Sequence, residues 1–255
     1  MPITRRALGT LVAAGLLARP ATAARSALLD AMVAFDAVYI PALALTQAVQ
    51  QDAGAAPRAR AAMQRLHGRW PALRVALEIR KPADWSATFE TVARQIDTAD
   101  AAVALANWAA AHDALEPVRA ALLRAREGAG IDYFPDRLAR FHEPMELLAS
   151  AGARGLLPIS PPMRSEIERA FAEARAHWRG IEQNLPEAAD HRMSSRRFLQ
   201  FKAALADGSK ALTALSDALR GSDDAALLKA ARSIKPPFAR LYSAFGADAD
   251  ETIDP

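Results

Sequence analysis

The sequence predicts an all-α protein, an antiparallel helical bundle of the elaborated four-helix type with about seven helices. Three observations predict this class. Alanine is abundant, β-branched residues are sparse, and apolar residues recur at intervals of three and four rather than in alternation. Because the 255 residues are 51% hydrophobic, the chain can bury one substantial core. We therefore assign residues 24–255 to a single domain.

The first half of the chain predicts three long helices. The first covers residues 26–51 and contains Pro41, and the second covers residues 56–79 and ends before Lys81-Pro82. A third helix covers residues 84–127, and we expect a break in it near Thr98. Gly128 and Gly130 end this helix, because glycine favours the conformations that follow a helix end.

The second half continues the helical pattern. Residues 131–134 have the composition of an extended segment, and a helix over residues 135–151 follows. Residues 152–162 form a linker. Helices are then expected over 163–184 and 194–219, with a last pair over 223–245 that Lys235-Pro236-Pro237 interrupts. The acidic tail from residue 247 is expected to fray.

Residues 1–23 have the layout of a cleavable export signal, with a basic start, an apolar segment and a small-residue ending. Arg5-Arg6, preceded by Thr4 and followed by Leu8, resembles a twin-arginine export signal. The resemblance implies export of an already folded protein to the bacterial periplasm. The apolar segment is too short to cross a bilayer, and we expect no later segment to be long and apolar enough, so the sequence predicts no membrane span.

Charge and cysteine content exclude several classes of partner and cofactor. The 32 Lys and Arg residues exceed the 29 Asp and Glu residues only through three arginines of the leader, so the remaining chain is balanced and nucleic-acid binding is not expected. The chain has no cysteine. This absence excludes disulfides, iron–sulfur clusters, thiolate metal sites and covalently attached c-type haem.

Two His-x-x-x-Glu pairs are the main candidates for a functional site. His112 and Glu116 form the first pair, and His142 and Glu146 form the second. Residues four apart lie on one helix face, so each pair can offer an imidazole nitrogen and a carboxylate oxygen to one ion. Two helices that each supply such a pair would make a four-ligand metal site in the bundle.

A structural interpretation of the same residues is also open. Pro117 and Pro144 could each begin a helix. Glu116 and Glu143 would then directly precede a helix, and Glu146 would be a capping residue near its start. The first pair is the stronger candidate, because His112 and Arg119 occupy positions in an apolar seam that runs through Leu105, Trp108, Leu115 and Leu122. The second pair can join the first in one site only if residues 131–134 run back along the preceding helix far enough to bring the two pairs level.

Five other polar residues in apolar surroundings are candidates for an additional or completing site: Asp36, Tyr39, Tyr133, Arg119 and His177. Asp36 interrupts an apolar run one turn before Tyr39, and Tyr133 lies in the extended connection. His67 precedes Gly68 and His191 lies in a polar linker, so both are expected to be peripheral.

These patterns favour a periplasmic metal-binding protein for transition-metal storage, delivery or sensing, with an exported redox or transport system as a possible partner. Nitrogen and oxygen ligands without thiolate suit zinc, copper or iron. No catalytic residues are predicted. Two alternatives are a non-catalytic helical interaction module and a bundle that binds haem non-covalently, with His112 or His142 and a methionine such as Met32 or Met145 as axial ligands.

Overall fold

The computed structural model describes residues 19–80, 84–155 and 157–247, and of residues 19–26 it describes only the backbone. This part of the chain forms an all-α bundle, which confirms the predicted class. Its helices are α1 (Arg19–Val49), α2 (Ala56–Arg80), α3 (Ser86–Ala104), α4 (Trp108–Gly128), α5 (Phe134–Arg154), α6 (Pro161–Gln183), α7 (Ser195–Arg220), α8 (Asp224–Arg232) and α9 (Lys235–Ser243). A 3-10 turn, Ala53–Ala55, connects α1 to α2. Residues 1–18 of the predicted leader and the acidic tail from residue 248 lie outside the described residues.

One continuous apolar core runs from Leu28 in α1 to Phe245 after α9. Trp178 of α6 is among its largest fully buried side chains, and its ring lies against Phe141 of α5 with the ring centroids 4.9 Å apart. Gly208 of α7 makes room for this indole, because a Cβ atom at residue 208 would lie 2.4 Å from Trp178 Cη2. The middle of α7 can therefore approach α6 closely only with glycine at this position.

Pro41 lies inside α1, as the sequence predicts, and the fold compensates for it. Proline has no N–H, so the carbonyl of Ala37 lacks its helical donor. The backbone N–H of Ala247 donates to that carbonyl at 3.0 Å. Gly246 lies so close to the Pro41 ring that a Cβ atom there would be 2.8 Å from Pro41 Cδ. The segment after α9 thus completes the hydrogen bonding of α1.

Helix α1 is more apolar than the sequence-based prediction of no membrane span assumed. Within the described residues, Ala27–Val49 is long and apolar enough to span a membrane by length and composition. The expectation that no segment beyond the leader has this character is therefore wrong. The most apolar window of this segment is 67% buried in the fold, which is the environment of a core helix. Helix α1 is apolar because its side chains pack against α2, α4 and α9.

The predicted third helix is two helices, and the break lies at residues 105–107 rather than at Thr98. Thr98 stays inside α3, where its hydroxyl donates to the carbonyl of Arg94 at 2.8 Å. Ala106 has a φ of 54°, and the side chain of Asn107 accepts from the N–H of Ala110 and so begins α4. Leu105 is 82% exposed, so its predicted place in the apolar seam is wrong.

The connection between α4 and α5 sets the register of the candidate site. Tyr133 is extended, with φ −136° and ψ 122°, and α5 begins at the next residue. Arg126 of α4 donates through Nε to Asp136 of α5 at 2.8 Å, and Arg140 Nε donates to Glu127 at 2.8 Å. These ion pairs hold the two helices side by side. His142 of α5 therefore lies level with Arg119, which is about two turns before Arg126 in α4.

Candidate functional site

The four predicted ligands line one cavity of about 120 Å³ between α1, α4, α5 and α9. His112 and Glu116 reach it from α4, and His142 and Glu146 reach it from α5. The other residues around it are Ile40, Leu43, Ala44, Gln47, Arg119, Lys235, Phe238, Ala239, Tyr242 and Ser243. The two His-x-x-x-Glu pairs therefore meet.

The interpretation of the glutamates as helix caps is wrong. Helix α4 begins at Trp108 and α5 begins at Phe134, so Pro117 and Pro144 both lie inside helices. Glu116 and Glu146 are consequently mid-helix residues. Their carboxylates interact with side chains across the cavity instead of with the free N–H groups of a first turn.

His112 has a defined orientation and a defined tautomer. Its Nδ1 lies 3.2 Å from the carbonyl oxygen of Leu43 in α1. A carbonyl can only accept, so Nδ1 carries the proton and donates this hydrogen bond. Nε2 then faces Glu116 Oε1 at 3.4 Å. Two acceptors face each other at that distance unless a second proton or a cation lies between them.

Arg119 occupies the centre of the site, where its side chain is only 7% exposed. Its Nη2 contacts Glu116 Oε2 and lies 2.9 Å from His142 Nδ1. Its guanidinium carbon also lies 5.3 Å from the ring centroid of Tyr242, within the range of a cation–π contact. Arg119 therefore provides the positive charge that accompanies the Glu116 carboxylate.

His142 joins the two pairs. Its Nε2 lies 3.4 Å from Glu146 Oε1 and 3.9 Å from Glu116 Oε2. Because Arg119 donates to Nδ1, the neutral ring carries its proton on Nε2. The ring also lies against Phe238 of α9, with centroids 5.5 Å apart.

Glu146 is held ionised by His142 and by Lys235, which was not among the predicted site residues. Burial acts to raise its pKa, but contacts with His142 and Lys235 outweigh burial and hold the pKa at about 2. Lys235 Nζ lies 2.7 Å from Glu146 Oε1. Lys235 is the first residue of α9, where the helix dipole disfavours a cation.

Three of the additional candidates lie deeper in the fold and do not line the cavity. Tyr39 donates from its hydroxyl to the carbonyl of Leu115 at 3.0 Å. Tyr133 donates to Asp36 Oδ2 at 2.6 Å, and both residues are buried. Burial raises the pKa of Asp36 to about 6, although the Arg126 charge and the Tyr133 hydroxyl act to lower it. These contacts form a buried polar cluster behind the cavity.

The remaining histidines lie away from the cavity. His177 is on α6, with its nearest carboxylate, Glu173, 3.9 Å away on the same helix. His191 is buried, so its predicted peripheral position is wrong. Its ring contacts Tyr133 and Phe245, Nδ1 has no hydrogen-bond partner within the described residues, and burial lowers its pKa to about 4. The aromatic residues that surround it come from two distant segments, residues 133–134 and residue 245, which is why its neighbours in the sequence did not reveal this position.

Within the ranges that the structure describes, no group of three or more His, Asp or Glu residues has the arrangement of a preformed metal site. A metal ion would need the carboxylates of Glu116 and Glu146, and these form ion pairs with Arg119 and Lys235, respectively. The arrangement is therefore a balanced ionic network, in which two carboxylates face two permanent cations and two imidazoles.

The chain matches no protein-family model, and no curated protein and no solved structure is significantly similar to it.

Proposed function

We propose that the cavity binds one divalent transition-metal ion exchangeably, for delivery or sensing, with His112, Glu116, His142 and Glu146 as ligands. The observation that carries this proposal is a set of three nitrogen–oxygen distances at the cavity, two within helices α4 and α5 and one between them. They are 3.4 Å for His112–Glu116, 3.4 Å for His142–Glu146 and 3.9 Å for His142–Glu116.

All three distances exceed those of direct hydrogen bonds. The two 3.4 Å distances suit a coordination polyhedron, whereas His142 and Glu116, 3.9 Å apart, would have to approach each other slightly. Hydrogen bonds between nitrogen and oxygen span about 2.7–3.2 Å. Ligands bound at about 2.0–2.2 Å from a tetrahedral ion lie roughly 3.3–3.6 Å from one another. Small side-chain movements would therefore place an ion between the imidazoles and the carboxylates. The orientation of His112 adds support, because the Leu43 carbonyl leaves the Nε2 lone pair directed at Glu116.

Arg119 and Lys235 would make the bound ion exchangeable. A metal ion must compete with Arg119 for Glu116 and with Lys235 for Glu146. His142 must also move its proton from Nε2 to Nδ1, which requires Arg119 to withdraw. These costs lower the affinity and favour delivery or sensing over storage. Imidazole and carboxylate donors suit zinc, divalent copper and iron.

The size of the cavity favours an ion over haem. Pockets for drug-sized ligands enclose about 300–1,000 Å³, whereas this cavity has about 120 Å³. In the alternative function, a non-catalytic interaction module, the His and Glu side chains of the cavity have only a structural role. This alternative predicts that the stability of the protein does not depend on metal. Metal binding separates these two functions.

The test uses protein purified without a histidine tag and stripped of metal with a chelator. Zinc and divalent copper are titrated calorimetrically into the wild type, into His112→Ala/His142→Ala, and into the matched control His67→Ala/His177→Ala, whose histidines lie outside the cavity. We expect one site in the wild type and control that is lost in the cavity variant. Equal binding by all three proteins, or no binding by any, would refute the proposal.

A further inference from the structure

A second cavity of about 290 Å³ adjoins the first. It lies between the middle of α1, the first half of α2 and the segment after α9. Ile40, Ala44 and Ser243 line both cavities, so they form the shared wall. The rest of the second cavity is lined by Pro41, Leu45, Arg58, Ala61, Arg65, Gly246 and Ala247.

Arg58 and Arg65 give this cavity an uncompensated positive charge. Neither guanidinium has an ion pair or hydrogen bond with any residue that the structure describes, and the lining contains no acidic side chain. The two residues are seven apart on α2, so they lie on one face and roughly 10 Å apart along the helix axis. Arg119 of the first cavity, in contrast, is paired with Glu116.

We propose that the second cavity binds a small polycarboxylate. Its carboxylates would pair with Arg58 and Arg65 through charge-assisted hydrogen bonds, and its carbon chain would lie against the Pro41 and Leu45 side chains. Ile40, Ala44 and Ser243 separate this site from the first cavity, so the anion site does not depend on the proposed metal ion.

The anion site is tested without metal, so that its failure is separate from a failure of the metal site. Citrate, and separately inorganic phosphate, are titrated calorimetrically into chelator-treated full-length protein. The variant Arg58→Ala/Arg65→Ala is compared with Arg175→Ala/Arg179→Ala, which removes the same charge from α6. We expect citrate binding to weaken at least about tenfold in the first variant and to stay within about twofold of wild type in the second.

Three results would overturn the proposal. The first is equal weakening in both variants, which would indicate a general charge effect. The second is phosphate binding as tight as citrate binding, which would indicate a site for any small oxyanion. The third is citrate binding that appears only after Asp248, Asp250, Glu251 and Asp254 are changed to their amides, which would assign the arginines to the chain's own acidic residues.

Discussion

Arg119 donates a hydrogen bond to Nδ1 of His142 across 2.9 Å, and this contact joins α4 to α5 at the centre of the cavity. The same guanidinium contacts Glu116, so a single side chain determines both the tautomer of one imidazole and the charge balance of one carboxylate. Any cation that enters the cavity must therefore compete with Arg119.

Replacing Arg119 with methionine is expected to raise zinc affinity. The substitution removes the competing cation and frees Nδ1 of His142 to carry the proton, which leaves Nε2 available as a ligand. We expect a gain of about tenfold or more, measured calorimetrically against wild type, with circular dichroism as the check on folding. An unchanged or lower affinity in the folded variant would contradict the competition that we propose.

Glu146→Gln is expected to destabilise the protein by about 1 kcal/mol at pH 7, a value reduced because the carboxylate is partly exposed. The pKa of Glu146 in the fold, about 2, lies below its ordinary value of 4.5, so its contribution is present above pH 4.5 and is lost as pH falls through 2. The wild-type and variant stabilities should thus converge near pH 2. Urea denaturation at several pH values measures this, and a difference that is constant with pH would disprove the assignment.

Asp36→Asn tests a charge effect of the opposite sign. Burial raises the pKa of Asp36 in the fold from 3.8 to about 6, so the folded state binds more protons than the unfolded state between these values. Its contribution to stability is present below pH 3.8 and is lost as pH rises through about 6, on the order of 3 kcal/mol in total. The asparagine variant lacks this loss, so its stability relative to wild type should rise over this range. Chemical denaturation at pH 4 and pH 7 checks the sign.

His191→Leu is expected to change the pH dependence of stability, relative to wild type, in the opposite direction to Asp36→Asn. Burial lowers the pKa of His191 from 6.5 to about 4, so stability attributable to this residue rises as pH increases across that interval. In the wild type this rise opposes the fall due to Asp36, and the two partly cancel. The leucine variant should therefore lose stability between pH 4 and pH 6 more steeply than wild type. A parallel profile would show that the His191 ring stays solvated in the fold.

Gly208→Ala is expected to cost about 1–3 kcal/mol of stability, because the added methyl group would lie 2.4 Å from the Trp178 ring and force α6 and α7 apart. Gly180→Ala is the matched control, since nothing lies within 4 Å of a Cβ atom there. Helix propensity alone favours alanine at both positions, so only a packing conflict explains a loss confined to Gly208. Thermal unfolding of both variants measures the difference.

Much of the helical pattern could be predicted from the sequence because periodicity and helix breakers are local signals. The break at residues 105–107 could not, since it depends on Ala106 adopting a positive φ and on the Asn107 cap, while Leu105 continues the apolar spacing. The convergence of the His-x-x-x-Glu pairs was predicted as a possibility. Lys235 was missed because its partner, Glu146, is 89 residues away and no local pattern records that contact.

The bond from the Ala247 N–H to the Ala37 carbonyl joins residues 210 positions apart. The gap that Pro41 leaves in α1 is thus closed by one of the last described segments of the chain. Helix α1 precedes the other described helices in the chain, yet its middle turn remains incomplete until residue 247 is in place. Contacts of such long sequence separation are slow to form, so the final docking of α1 is expected to be a late step of folding rather than its starting point.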